Sequence, residues 1–408
     1  MNPVKIFGKE IIDHQSIQQI ERCMDEGAHG VLTADAHYGY GHPIGGAIAY
    51  KNKISLSGVG FDIGCGNKAV KTSIQASDVD IAQLMDEIIR QIGFGIGRPN
   101  PTPIEHPVID KIDQLKLPVS RSGHTSLVDK AKSQLGTVGS GNHCVDLFED
   151  ESDGTLWIGV HFGSRGYGHS ITKGFIALSR DKAFEDRVNE GGMDSPPILF
   201  DADSEVGITY IEAMNIAGEY AYAGRDYVCD KILEILQSRS TFEVHNHHNF
   251  AWKEEHFGEK YWVVRKGCTP AFPGQLGFIG SNMFDTSVVV EGNDTNLSRE
   301  ALYSTVHGAG RVMSRRKATG KVKWKKGKDG RRRPVAVSKG LVDFTTTQEK
   351  AKQLGIELRG GGADESPECY KKLDEVLEHM GDTIRVIHRL KPIGVAMAGA
   401  DIYDPYRD

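Results

Sequence analysis

Apolar positions recur along this 408-residue chain with two different periods, and together they predict both strands and helices. Short runs of β-type residues at 53–58, 68–74, 156–161, 261–265 and 286–290 each lead into or out of a glycine-rich turn, and read as strands. Helical spacing appears over 78–91, where Ile81, Leu84, Ile88 and Ile89 share a face, and again over 210–237 and 367–389. Residues 93–124 read as a long proline-containing excursion. No regular strand–helix–strand rhythm runs through the chain, so the pattern predicts an α+β fold rather than a doubly wound sheet. No solenoid-type repeat and no proline- or serine-rich linker divides it. Chemistry-bearing segments extend from Asp35 to Tyr370, which predicts one catalytic domain spanning 1–408.

Composition adds limits. No apolar run approaches the roughly 18 residues that suggest a membrane span. The N-terminal segment is polar and amphipathic, without the apolar core of a secretion signal, so the expected compartment is the cytoplasm. The six cysteines are scattered, with no C-x-x-C, as expected of free thiols in a reducing environment. Glycine is in excess, at 48 residues of 408, against the roughly 7% of an average protein. The excess lies in short runs, as tight turns and close backbone approach to a ligand require. The net charge of −6 hides an asymmetry. Arg315, Arg316, Lys317, Lys321, Lys323, Lys325, Lys326, Lys328, Arg331, Arg332 and Arg333 fall within 315–333 against the single acid Asp329, and the remainder is distinctly acidic. Such a block is a candidate polyanion contact or a solvated loop.

Candidate chemistry clusters around glycines. Asp62 and Cys65, three apart between glycines, can turn toward one metal ion, and a thiolate can bridge two. Alone, such a cysteine is more often a small buried hydrophobe. His143 follows Gly141-Asn142, His161 closes an apolar run before Gly163-Ser164-Arg165-Gly166, and His248 lies in His245-Asn246-His247-His248-Asn249. Any one of them is more often structural. Together with Asp62 and Cys65 they form a mixed nitrogen, oxygen and sulfur set suited to Mn, Zn, Fe or Co. His307, followed by Gly308-Ala309-Gly310-Arg311, stands apart. It reads as a metal ligand, a general acid or base, or a covalent nucleophile. Backbone amides there, and in the loop from Phe272 to Met283, can meet phosphate oxygens, with Arg311 or Arg315 as partner.

In this order the blocks resemble the RtcB family of RNA ligases, from about Ala34 to the C-terminus. The motifs are Asp35-Ala36-His37-x-Gly39-x-Gly41, Asp62-Ile63-Gly64-Cys65-Gly66, Gly141-Asn142-His143 and His161-x-Gly163-Ser164-Arg165-Gly166. They continue as His248-Asn249, Arg265-Lys266-Gly267, Ala271-Phe272-Pro273-Gly274-Gln275 and His307-Gly308-Ala309-Gly310-Arg311. The resemblance implies mixed sheets around a central cleft holding two manganese ions. Asp62, Cys65 and His143 would hold one, and Cys65, His161 and His248 the other. It makes His307 the nucleophile that takes GMP from GTP, with Asp35 and Arg165 as further catalytic residues. Implied nucleotide contacts are Asn142, Asp146, Asn249, Gly280, Ser281, Asn282, Met283, Ser287, Gly308, Ala309, Gly310 and Tyr370.

The implied reaction joins RNA ending in a 3′-phosphate or 2′,3′-cyclic phosphate to a 5′-hydroxyl end, as in repair of cleaved tRNA or rRNA, by a monomer with no membrane partner. In that setting the 315–333 segment reads as an RNA contact. The chain departs from the family at four places. Asp146 replaces a glutamate, Asn282 a serine and Gly224 an asparagine, and the tail after Gly394 carries no lysine. Two other readings stay open: a metal-dependent phosphodiesterase or phosphatase of RNA ends that has lost guanylylation, and a non-catalytic RNA-repair partner.

Overall fold

The computed structural model describes residues 2–326 and 332–402. Two large sheets organise it. One is five-stranded, in the order Lys5–Ile6, His29–His37, Ile44–Tyr50, Glu259–Lys266, Asn249–His256. The other is eight-stranded. Its main path runs Phe242–His247, Gly66–Gln75, Thr155–Phe162, Cys144–Asp150, Ile384–Gly399, Ser287–Gly292, Leu276–Ile279, and Glu357–Gly361 joins Ile384–Gly399 in parallel. With helices packed on these sheets, the expected α+β class is what the chain adopts.

Side-chain alternation sets what each face of the larger sheet does. In Thr155–Phe162, Ile158, Val160 and Phe162 pack with Val228, Cys229 and Ile232 of the long helix Glu205–Ile235. Trp157 points the other way, onto Phe148 and Phe278, and His161 shares its side of the strand. The neighbouring strand follows suit, since Cys144 lies opposite His161 and Phe148 opposite Trp157. On the next strand, Met397 lies opposite Cys144 and Val395 opposite Asp146. One face of the sheet is therefore a helix-covered core, and the other is apolar at one end and polar at the end carrying His161. Fully burying Trp157 alone contributes about 2–3 kcal/mol.

Most of the expected elements are present within a few residues of their predicted limits. The helix expected over 78–91 runs Ile81–Gln91, started by Asp80, whose carboxylate accepts from Gln83 N at 3.0 Å. Three expectations need correction. Residues 53–58 are a strand only over Lys53–Ser55; the Ser55 hydroxyl then caps a helical turn, Leu56–Val59, accepting from Gly58 N. The excursion at 93–124 contains the helix Pro107–Gln114 and the start of the helix Arg121–Gln134. Pro107 occupies the first helical turn, where its missing N–H costs nothing. The helix expected over 367–389 ends at Met380, and Gly381, at φ 59°, releases the chain into the strand Ile384–Gly399. A register shift opposite Val289 and Val290 inserts an extra residue there. Ile384, Ile387 and Leu390 consequently fall three apart and imitate helical spacing.

The basic segment is not a shapeless loop. Arg315–Thr319 is a helix, and Val322–Lys326 pairs with Arg332–Ala336 as an antiparallel hairpin. Lys328, Asp329 and Arg331, like the tail from 403 onward, lie outside the described residues. None of the six cysteines is in a disulfide. Among the described residues, no helix is long and apolar enough to cross a membrane.

Candidate active site

Strand ends bring the expected ligands together. Cys65 closes a tight turn, its N–H donating to Asp62 O at 3.0 Å, and enters the strand Gly66–Gln75. Gly64 sits at φ 69°, with Ala221 and Gly218 of the long helix so close that a Cβ would meet them at 3.1 Å. His248 N donates to Cys65 O at 2.8 Å, which ties the His248 corner to the same turn. The Cys65 thiol lies 3.3 Å from His161 Nε2 and 3.7 Å from His143 Nε2. His161 Nε2 lies 3.3 Å from His248 Nε2, and His143 Nε2 lies 3.0 Å from Asp62 Oδ2. Ligand atoms of Cys65, His143 and His161 all fall within 4.8 Å of one another.

The tautomers explain why this cluster fits a cation. His143 Nδ1 is 3.1 Å from Val138 O, and His161 Nδ1 is 3.1 Å from Asn142 O. A carbonyl only accepts, so each Nδ1 carries the proton and each Nε2 presents a lone pair. Arg165 Nη1 also lies 3.1 Å from His143 Nδ1, but that bond needs the opposite tautomer. Lone pairs of His143 and His161 thus converge on the Cys65 sulfur, with Asp62 Oδ2 against His143 and His248 Nε2 against His161, an arrangement of mutual repulsion unless cations or shared protons lie among them. Asp62 Oδ2 correspondingly has no hydrogen-bond donor. Burial lowers the His161 pKa to about 3 and that of His248 well below its usual value, keeping both imidazoles neutral. Burial favours the neutral acid at Asp62, but a proton shared with His143 Nε2, and then the charge of Arg165, outweigh it and bring its pKa to about 2. The donor set fits manganese, zinc, iron or cobalt.

Behind the turn stands Arg225, fully buried on the long helix. It donates to Gly64 O at 2.9 Å and Phe162 O at 2.5 Å, and through Nε to His245 Nε2 at 2.8 Å. It therefore staples the Cys65 turn to the residue after His161, a partnership sequence reading missed.

His307 lies beside the cluster with a different anchor. Its ring centroid is 4.8 Å from that of His248, yet its Nδ1 lies 2.6 Å from Asp35 Oδ2. The same oxygen accepts from His307 N at 3.1 Å, while Asp35 Oδ1 accepts from the Thr33 hydroxyl at 2.7 Å. Burial alone would raise the Asp35 pKa, but His307 and Thr33 hold it below the usual carboxylate range. The pairing fixes His307 with Nδ1 protonated and a lone pair on Nε2.

His307 opens onto a cleft of about 740 Å³. Asn142, Asp146, His161 and Tyr370 line it, as do the loops Gly280, Ser281, Asn282, Met283 and Gly308, Ala309, Gly310. Asp146 is the unusual member. Burial pushes its pKa up to about 7, opposed only by the Cys144 thiol, and its Oδ1 has no partner. Asn249, Ser287 and Arg165 are not among the lining residues. Asn249 Oδ1 accepts from Gly267 N at 2.8 Å, and the Ser287 hydroxyl accepts from Ser281 N at 3.0 Å, so both shape the loops that do line it. Arg165, at φ 55°, lies against Gly139, beside His143.

At the cleft the arginines the sequence singled out meet an acidic pair that it did not. Arg315 pairs with Asp364 at 2.9 Å and with Glu365, whose other oxygen accepts from the Tyr370 hydroxyl. Arg311 donates to that hydroxyl at 2.9 Å. The acidic pair one residue after Gly360-Gly361-Gly362, six and five residues before Tyr370, was the available signal. Val395 and Met397 put apolar surface into the cleft from the lysine-free tail.

Comparison with known proteins agrees with this geometry. The profile of the family described as "tRNA-splicing ligase RtcB" matches residues 19–398. The chain is 31% identical over 392 residues to the RNA-splicing ligase RtcB of Escherichia coli, covering 90% of this chain and 89% of that one. It is 27% identical over 478 residues to the tRNA-splicing ligase RtcB of Thermococcus kodakarensis, covering 96% and 95%. A match of that extent, with the metal-type cluster and the anchored histidine at the corresponding motifs, places the chain in the RtcB family.

Proposed function

We propose that the protein is an RNA ligase that uses GTP as co-substrate and manganese as cofactor. It would join a 3′-phosphate or 2′,3′-cyclic phosphate end to a 5′-hydroxyl end through a His307–GMP intermediate. The observation that carries this reading is the contrast between two kinds of histidine in one pocket. The imidazoles of His143 and His161 turn lone pairs onto the Cys65 thiol and His248 meets His161, whereas the His307 proton is held by Asp35. Of these four, His307 is thereby left to act as a covalent nucleophile.

Asp62, Cys65 and His143 would hold one ion, and Cys65, His161 and His248 the other, with the thiolate shared. Bound there, the ions would neutralise phosphate charge and polarise the bond being broken. His307 Nε2 attacks the α-phosphorus of GTP, forming a P–N bond as pyrophosphate leaves with the electrons of the broken P–O bond. Asp35 compensates the positive charge that grows on the ring. A 3′-phosphate oxygen then displaces His307, and the 5′-hydroxyl displaces GMP. Asn142 and the glycine loops at 280–283 and 308–310 would hold the nucleotide phosphates and sugar, with Asp146 and Tyr370 as further contacts along the cleft.

Incubation with manganese and α-labelled GTP tests the reading. The expected result is a covalent label on the wild-type chain that disappears in His307→Ala and in Cys65→Ser. The shorter Asp146 and the lysine-free tail favour one alternative, a metal-dependent RNA-end phosphatase without guanylylation. Release of phosphate from RNA ends by an unlabelled protein would establish it instead.

A further inference from the structure

The basic segment divides into two parts with different fates. Arg315, at its start, is committed inward, its guanidinium taken up by Asp364 and Glu365 at the cleft. In the hairpin Val322–Lys326 and Arg332–Ala336, the lysines have no such partner among the described residues. The hairpin forms its own two-stranded sheet, outside both large sheets. Val322, Val335 and Val337 are 36%, 39% and 51% exposed, so no protein layer covers it. Its register places Lys323 opposite Val335 and Lys325 opposite Arg333, all on one face, while Val322 and Trp324 share the other with Ala336 and Pro334. Lys323, Lys325, Lys326 and Arg333 are exposed. Among the described residues, no carboxylate pairs with Lys323, Lys325 or Lys326.

The root of this arm is firm. Val337 N donates to Lys321 O at 2.7 Å, Leu341 N to Lys317 O at 3.1 Å and Val342 N to Ala318 O at 3.2 Å. The first bond closes the base of the hairpin, and the other two tie the chain leaving it to the helix Arg315–Thr319, whose Arg315 lines the cleft. A projecting basic strand is thus fastened to the wall of the reaction site.

We propose that this hairpin is a docking arm for the phosphodiester backbone of the RNA whose end lies in the cleft. The inference rests on reading the protein as an enzyme of RNA ends. It adds a site separate from the end chemistry. Charge complementarity chooses the occupant. Lysines two apart on a strand stand about 6.7 Å from each other, a repeat suited to successive charges of a regular polyanion. Elsewhere the chain is acidic, with a net charge of −6 overall, so polyanion attraction is focused on this element. An acidic peptide would need an apolar pocket for anchorage, and the face bearing Lys323 and Lys325 offers only Val335 as an apolar side chain.

The test is the salt dependence of RNA binding by the full chain and by Lys323→Ala/Lys325→Ala. The probes are a long RNA with a 3′-phosphate and a dinucleotide with the same end. Each lysine that neutralises a phosphate contributes about 0.7 to the slope of log K against log salt on a single strand, so the variant's slope should fall by about 1.4 for the long RNA. Over a fourfold rise in salt, the wild type would then lose about sevenfold more affinity than the variant. The dinucleotide and covalent labelling by GTP should be unaffected, because the two lysines lie outside the cleft. Equal slopes would overturn the proposal. So would loss of GTP labelling, which would make the arm a support of the cleft. Binding of poly-glutamate with the same lysine dependence as RNA would reassign the arm to acidic proteins. A changed slope in a chain that GTP never labels would leave the arm standing and remove the ligase reading.

Discussion

The Asp35–His307 pair allows the tautomer and the charge to be separated by two substitutions at one position. Asp35→Ala removes the acceptor of both His307 N and His307 Nδ1, now at 3.1 and 2.6 Å. Hydrogen bonds to a buried carboxylate are worth about 1.5–3 kcal/mol each, and part is returned because no charge is then buried, so a net loss of about 2–4 kcal/mol in stability is expected. The imidazole would also be free to carry its proton on Nε2, where it blocks attack. Loss of the correct tautomer in a comparable Asp–His pair costs about 10⁴ in rate, so guanylylation of Asp35→Ala should slow by about 10³–10⁴.

Asp35→Asn should behave differently. The Thr33 hydroxyl lies 2.9 Å from Gly45 O as well as 2.7 Å from Asp35 Oδ1, so it can turn its proton to Gly45 and accept from the new amide. The amide oxygen then still faces His307, the tautomer survives, and only the charge is lost. A rate reduction of about 10- to 100-fold, with little loss of stability, follows. The assay is single-turnover labelling with α-labelled GTP, alongside urea unfolding of each variant. Equal labelling rates for the alanine and asparagine variants, or wild-type labelling by Asp35→Ala, would refute the reasoning.

Three further outcomes follow from the geometry. Asp146 has its pKa raised to about 7 by burial. Its stabilising contribution is therefore present below the unfolded value of about 4 and is lost as pH rises to about 7. Asp146→Asn should gain stability relative to wild type across that interval, seen as a widening gap in urea midpoints, and no widening would mean the carboxyl is already ionised. Arg225→Lys replaces a fork serving Gly64 O, Phe162 O and His245 by one ammonium. A loss of about 3 kcal/mol and a 10- to 100-fold weaker metal affinity, read by competition with a chromophoric chelator, are expected. Gly310 has φ +76°, and a Cβ there would lie 2.1 Å from Asp35 O. Gly310→Ala should displace the 308–310 loop and cut GTP labelling while leaving metal binding by the Cys65 cluster intact.

The site was more legible in the sequence than the fold around it, for physical reasons. Metal-type ligands announce themselves by residue type and local glycine, so Asp62, Cys65, His143, His161 and His248 could be named together before any strand was placed. The anchoring of His307 could not be derived from pattern, because Asp35 lies in a strand at the other end of the chain; the family motif had to supply it. Arg225 and the Asp364–Glu365 pair were missed because their partners are backbone carbonyls or residues distant in sequence. The final strand was misread because a bulge gave Ile384, Ile387 and Leu390 the spacing of a helix. Pro107 concealed a helix because proline marks a helix start as readily as a loop. The basic segment was recognisable by charge, yet only the fold separates inward Arg315 from the outward lysines.

The strand Ile384–Gly399 lies in the interior of the eight-stranded sheet, hydrogen-bonded to Cys144–Asp150 on one side and Ser287–Gly292 on the other. During synthesis, the two halves of that sheet emerge first with facing edges that have no partner. They can close only when these late residues arrive. Such pairing between distant parts of a chain is slow and exposes open edges meanwhile. The cleft wall carrying Asp146 is built on the seam that this strand seals. A nascent or truncated chain would therefore own all five candidate metal ligands before it owned a working cleft, a sequence of events that withholds RNA joining until the sheet is closed.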